Sequence, residues 1–183
     1  LSGYRGEFFL YSLLGKLNQL ERAGRFEYFS SIIYIPLRVP ETLYIQDFSL
    51  FQGLREVHFA HQINQQFDEF VLLDCGGYFG QVSMRIAALC PGLRKTLLFD
   101  PNAENCVYST ANLELTEHPF SVINAAVSDF SGGATLIFPE GPHVPDSAYI
   151  EKTEGGDIPV VRLDDVEVQH NENLKGKNLA IKL

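Results

Sequence analysis

Residues 70–90 read FVLLDCGGYFGQVSMRIAALC. An apolar run ends in Asp74, glycines follow at 76, 77 and 80, and apolar positions then recur at helical spacing. A short run that is apolar at consecutive positions suits a strand buried on both faces. The glycines mark a sharp turn into a helix. Two readings of that turn stand open. It is a tight connection, or it is a cradle for a nucleotide-like ligand, because glycine lets a ligand approach the backbone and a helix N-terminus offers free N–H groups.

The same rhythm continues downstream. "KTLLFD" (95–100) predicts a second buried strand, and Pro101 opens a helix over 102–115, proline being at home in a first helical turn. "FSVINAAVS" (120–128) predicts a third strand. Buried strands alternating with helices specify a parallel sheet covered on both faces, joined by right-handed crossovers. The expected fold is therefore α/β and Rossmann-like. Residues 130–165 interrupt it with short strand-like runs between Gly and Pro, a β-rich insertion with a loop at 141–147. Ser128 and Asp129 read as a turn leading into it. "NLAIKL" (178–183) then predicts the fourth core strand, and a sheet of this kind is expected to continue past Leu183.

Upstream, residues 1–68 read as a helical and β extension to a cofactor-binding domain at 69–183. Leu10, Leu13, Leu14, Leu17 and Leu20 predict a helix over 7–24, with Gly24 at its end. "YFSSIIYIPLRVP" (28–40) predicts an edge strand, and "ETLYIQDF" (41–48) is its expected hairpin partner. Ser49 suits the N-cap of a further helix with Leu50, Leu54, Val57 and His61 near one face.

The chain has 183 residues, 45% of them hydrophobic and 20% charged, which describes one ordinary globular domain rather than a disordered segment. The formal net charge of −9 argues against nucleic acid and anionic membrane surfaces as partners, since both select clustered Lys and Arg. Cys75, Cys90 and Cys106 form an odd set without C-x-x-C spacing. They read as free thiols of a reducing, cytoplasmic compartment. No run reaches the ~18 apolar residues of a membrane helix.

Chemistry is expected where strands of a parallel sheet end, at their carboxyl edges. Asp74 ends the first strand, ahead of Gly76, Gly77, Tyr78 and Gly80. Asp100 ends the second, 20 positions beyond Gly80, and leads into Pro101 and Asn102. An acidic residue at about that distance is placed to accept from ribose hydroxyls. In the third strand the small residues of Asn124, Ala125, Ala126 and Val127 suit the border of an adenine ring. The turn lacks the G-x-G of a dinucleotide fingerprint and begins with a carboxylate. S-adenosylmethionine has no pyrophosphate to cradle, and its ammonium and sulfonium suit a nearby acid. The pattern thus favours S-adenosylmethionine.

The motifs together resemble the FkbM-type family of S-adenosylmethionine-dependent methyltransferases. "DCGGYFG" (74–80) is similar to the family's D-x-G-A-N-x-G, and "FDPN" (99–102) to its F-E-P-N. "ANLEL" (111–115), "INAAVSD" (123–129), "VVRLDD" (160–165) and "LAIKL" (179–183) follow in the family's order, so the resemblance covers about residues 69–183. Gly77 stands for the usual Ala, Tyr78 for Asn and Asp100 for Glu. The family's D-x-E-G, after the fourth strand, falls beyond Leu183. The resemblance implies a class I methyltransferase that methylates a hydroxyl of a sugar, polyketide or other small-molecule acceptor. No catalytic base, oligomeric state or metal ligand set is assigned. His58 and His61 read as ordinary, partly buried histidines, and Asp164 and Asp165 as turn or acceptor-mouth residues. Two rivals stand beside this reading: a nicotinamide-dependent oxidoreductase, and a non-catalytic methyltransferase-like binding or scaffold module.

Overall fold

The computed structural model describes residues 23–28, 31–36, 55–137, 148–170 and 172–183. Its centre is a four-stranded parallel sheet. β3 (Phe70–Cys75), β4 (Leu93–Phe99) and β5 (Phe120–Ile123) run side by side, and β10 (Leu179–Lys182) joins the other edge of β3, giving the order β10-β3-β4-β5. Every residue of β3 is buried, as its unbroken apolar run requires. Val71, Leu73, Leu97 and Phe99 pack on one face of the sheet with Ala125, Val161, Val166 and Leu174. Phe70 and Leu72 pack on the other with Ile86 and Cys90, and Leu98 with Met84 and Leu113.

That second face carries the helices. α1 runs through residues 55–66, α2 is Gln81–Leu89 and α3 is Ala103–Leu113, followed by a 3-10 turn at Glu114–Thr116. The opposite face carries a smaller sheet of order β6-β9-β7-β8. Its strands are β6 (Ala126–Val127), β7 (Gly132–Ile137), β8 (Tyr149–Lys152) and β9 (Ile158–Val161). β6 runs parallel to β9, whereas β7 is antiparallel to β8 and β9. This is the β-rich insertion expected before the fourth core strand. A 3-10 turn at Leu163–Asp165 and the short helix α4 (Val166–Gln169) return the chain toward β10.

Several local expectations are corrected. Ala23–Tyr28 is a strand (β1), so Gly24 does not end a helix. It pairs antiparallel with β2 (Ser31–Pro36), which places the partner of the "SIIYIP" strand before it in the chain. The remainder of the Leu-rich segment, residues 41–48, Ser49 and the 141–147 loop lie outside the described residues. Pro101 does not open α3. Asn102 is the N-cap, its side chain accepting from the Glu104 N–H at 2.9 Å, and Ala103 is the first helical residue.

The expected strand 120–128 is two strands in two sheets. Ala125 N–H turns back to the Ile123 carbonyl at 2.9 Å, and Asn124 Nδ2 donates to the Asp100 carbonyl at 2.9 Å. The first ladder therefore stops at Ile123. In α1 the buried positions are Glu56, Ala60 and Ile63, while Val57, His58 and His61 are exposed. Glu56 tolerates burial because Arg85 of α2 lies 3.4 Å away, also buried. Ala60 and Ile63 share one apolar cluster with Phe70, Leu72, Ile86 and Ala180, so this part of the N-terminal extension and the parallel sheet share a core.

Candidate functional site

β4 and β5 lie on one side of β3 and β10 on the other, so strand order reverses between β3 and β10. Connections diverge there and leave a crevice at the carboxyl ends of the strands. The turn after β3 opens into that crevice. Gly76 has φ 73° and Gly80 has φ 82°, left-handed conformations that glycine adopts without a Cβ penalty. Gly76 and Gly77 both donate to the Phe99 carbonyl of β4, at 2.9 and 3.0 Å. Gly77 is glycine for another reason. A Cβ there would lie 2.2 Å from Leu98 Cγ.

Tyr78 adopts φ 50°, a left-handed conformation uncommon for a bulky residue. Asn enters this region several-fold more readily, which gives a backbone reason for Asn at this place in the D-x-G-A-N-x-G pattern. The Tyr78 N–H donates to Asp100 Oδ2 at 2.8 Å. The two strand-end turns are therefore fastened to each other.

Asp100 is 4% exposed. Its Oδ1 accepts from the Asn102 N–H at 2.9 Å and Asn105 Nδ2 at 3.0 Å. Burial pushes its carboxyl above the usual aspartate range, against the opposing pull of these donors and the Tyr78 N–H; the Asp74 charge adds to the rise. A carboxylate offers about four acceptor positions. With three taken, one position on Oδ2 has no donor among the described residues.

Asp74 is fully buried and shares the α2 face of β3 with Phe70 and Leu72. Its Oδ2 accepts from the Ser83 hydroxyl at 2.6 Å, and its Oδ1 faces Lys182 Nζ at 3.2 Å as an ion pair without a hydrogen bond. Lys182 itself donates to the Gly76 carbonyl at 2.8 Å and the Cys75 carbonyl at 3.3 Å. Burial, with help from the Asp74 charge, pushes the Cys75 thiol up to about 11.

Beside this turn is a cavity of about 410 Å³. Its floor is Gly76, Gly77 and Tyr78 with Lys182 of β10 and Leu183, and Gln81 and Val82 open α2 beside it. Arg55, Glu56 and Phe59 of α1 form the far wall. The volume lies within the range of small-ligand sites, about 300–1,000 Å³. α2 begins without a side-chain cap and without an acid in its first turn, and Gln81 and Val82 of that turn border the cavity.

The expected site residues divide into groups. Gly76, Gly77 and Tyr78 line the cavity, while Asp74 is sealed beneath it and Gly80 starts α2 against Ser109. Asp100, Asn102 and Asn124 form a second cluster, tied to the first through Tyr78, and the half-buried Pro101 sits between Asp100 and the cap. Ala125 and Ala126 are buried in apolar clusters, and Val127 packs against the first of them. Asp164 and Asp165 lie in an exposed turn, bonded to Arg162 and Ser131, and do not border the cavity. Lys182, Ser83 and the α1 wall are additions that sequence reasoning missed. The one trace was a lysine at the end of an otherwise apolar strand. Among the described residues no group of three or more His, Cys, Asp or Glu is placed to hold a metal. None of the described helices is long and apolar enough to cross a membrane.

No protein-family model matches this chain, and no curated protein matches it in sequence. Among solved structures it is similar to the crystal structure of the methyltransferase FkbM from Methylobacillus flagellatus KT, with a TM-score of 0.35 and 15% identity. The likeness covers 70% of this chain and 33% of that one, so this chain spans about a third of that protein's length.

Proposed function

We propose that this chain binds S-adenosylmethionine and directs transfer of its methyl group to a hydroxyl oxygen of a small-molecule acceptor. One observation carries the reading. Two adjacent parallel strands end in carboxylates, their turns are joined by the Tyr78 N–H on Asp100 at 2.8 Å, and a cavity opens beside the first of these turns at the strand-order reversal. The residues suit the cofactor in parts. The position on Asp100 Oδ2 that no protein donor takes would suit one ribose hydroxyl. The cavity, with Lys182, Arg55 and the uncapped start of α2, suits the carboxylate of an amino-acid tail.

When bound, the cofactor would supply a methyl group on sulfonium sulfur, the sulfur leaving as a neutral thioether and the acceptor hydroxyl losing its proton to solvent. The chain's own work is placement. Asp100 would hold the ribose edge, and residues 76–78 would set the depth of the tail. Phe59 and Val82 would keep water from the apolar part of the cavity. Holding two reactants in line accounts for up to roughly 7–11 kcal/mol of a barrier.

Calorimetric titration with S-adenosylhomocysteine tests the proposal. Saturable binding is expected, weakened about tenfold or more in Asp100→Ala, the loss of one charge-assisted hydrogen bond. No binding by the wild-type chain, or equal affinity in a folded D100A, refutes it. Displacement of the ligand by NAD would favour the oxidoreductase reading. One observation supports a second reading, the non-catalytic module: three protein donors already occupy Asp100. A chain that binds the product with no methyl transfer to any hydroxyl acceptor would fit that reading instead.

A further inference from the structure

We infer that Lys182 is a positioning residue, which clamps the glycine turn onto the mouth of the parallel sheet and so sets the shape of the proposed cofactor site. The register pairs Lys182 of β10 with Asp74 of β3. Its ammonium curls over the carboxyl end of β3, donating to the Gly76 carbonyl at 2.8 Å and the Cys75 carbonyl at 3.3 Å and lying 3.2 Å from Asp74 Oδ1 as an ion pair. β10 pairs with β3 only as far as Asp74, so no β10 strand residue is paired opposite those two carbonyls. Gly76, at φ 73°, has no side chain to hold it in place.

The turn is thus pinned from both flanks. On the β4 side the N–H groups of Gly76 and Gly77 converge on the Phe99 carbonyl, and the Tyr78 N–H reaches Asp100. On the β10 side Lys182 is the donor. The same ammonium faces a carboxylate that has no exposure to water and whose hydrogen bond comes from Ser83. Removing Lys182 therefore has two separable effects. A buried charge loses its counter-ion, which affects the whole fold. The turn loses its outer clamp, which affects residues 76–78.

The two effects separate in the variants K182M and D74N/K182M. Expected for K182M is a melting temperature lower by about 5 °C or more, as follows from stranding a buried carboxylate. Removing that charge in D74N/K182M should restore at least about half of the drop. Amide exchange at Gly76, Gly77 and Tyr78 should be about tenfold faster or more in both variants, because local opening reports the clamp and not global stability. This inference rests on the cofactor reading only for its last arm, in which S-adenosylhomocysteine affinity falls about tenfold in both variants.

Exchange that returns to the wild-type rate together with stability in D74N/K182M would reduce Lys182 to a structural counter-ion and overturn the inference. Wild-type behaviour of K182M would also overturn it. If K182M does not fold, D74N/K182M decides alone, by whether its turn amides exchange faster than wild type. Failure of the wild-type chain to bind S-adenosylhomocysteine, with exchange as expected, would refute the cofactor reading and leave the clamp standing.

Discussion

An alanine at position 77 would place its Cβ 2.2 Å from Leu98 Cγ and 2.5 and 2.7 Å from the two Cδ atoms. Gly77 is not among the residues with positive φ, so its backbone accepts an L-residue and the objection is steric. Carbon atoms settle about 3.5–4.0 Å apart, so Leu98 has to retreat by more than about 1 Å. It is fully buried among Phe79, Met84 and Leu113. The turn resists as well, because Gly77 N–H is bonded to the Phe99 carbonyl at 3.0 Å. Overpacking of this kind costs up to about 3 kcal/mol. Alanine also restricts the unfolded chain, which offsets about 0.4–1 kcal/mol. The net loss expected for Gly77→Ala is about 1–2.5 kcal/mol, a fall in melting temperature of roughly 2–10 °C for a domain of this size. Urea melts of G77A, L98A and the double variant measure it. Leu98→Ala deletes every atom that clashes and alone costs about 2–5 kcal/mol. In the double variant the new methyl enters the space Leu98 has left, so the two losses should fall short of additive by at least about 1 kcal/mol. G77A within about 0.5 kcal/mol of wild type, or strict additivity, would show that Leu98 is not what selects glycine here.

Asn102→Ala removes the cap on Glu104 N–H and should cost about 0.5–2 kcal/mol in urea melts, an unchanged midpoint contradicting the cap. Glu56→Ala removes the buried carboxylate that faces Arg85, itself 7% exposed, and a loss of about 3–5 kcal/mol is expected; less than about 1 kcal/mol would show that the guanidinium does not depend on Glu56. Burial, with the nearby Asp100 charge, pushes the Cys106 thiol up to about 11, so at pH 8 native Cys106 should react with iodoacetamide roughly 100-fold more slowly than in urea-unfolded chain, and faster as pH rises; equal rates would count against it. Because Asp100 is raised and must be ionised to accept from a ribose hydroxyl, affinity for S-adenosylhomocysteine should hold at neutral pH and fall on acidification, starting above the ordinary aspartate value of 3.8. Affinity unchanged down to about pH 4 would remove Asp100 from the ligand's partners.

The strands that carry the site were legible because their signal is local. Phe70 to Cys75 and Leu93 to Phe99 are mostly apolar, and an element buried on both faces needs that composition wherever it sits. The glycine turn was legible for the same kind of reason, since positive φ at 76 and 80 is a backbone demand written in one residue type. The break between β5 and β6 was not. Residues 120–128 have strand composition throughout, and the interruption comes from Asn124 reaching the Asp100 carbonyl, 24 positions away. The buried face of α1 was not legible either, since it carries Glu56, Ala60 and Ile63 while Val57 and His61 are exposed. Arg85, from another helix, lies 3.4 Å from Glu56 and offsets its burial.

By itself the sequence determined the kind of layers, the order of the β3 to β5 units and the places where their turns carry carboxylates. Those properties follow from the period and polarity of short segments. The tertiary structure decided what each carboxylate does. Asp74 and Asp100 look equivalent along the chain, both acids at the end of a buried strand. In the fold Asp74 is sealed under Lys182 and Ser83, while Asp100 ties two turns together through three protein donors. That difference depends on β10 lying beside β3, a pairing across more than 100 residues (Lys182 to Gly76 is a separation of 106) that no local pattern encodes.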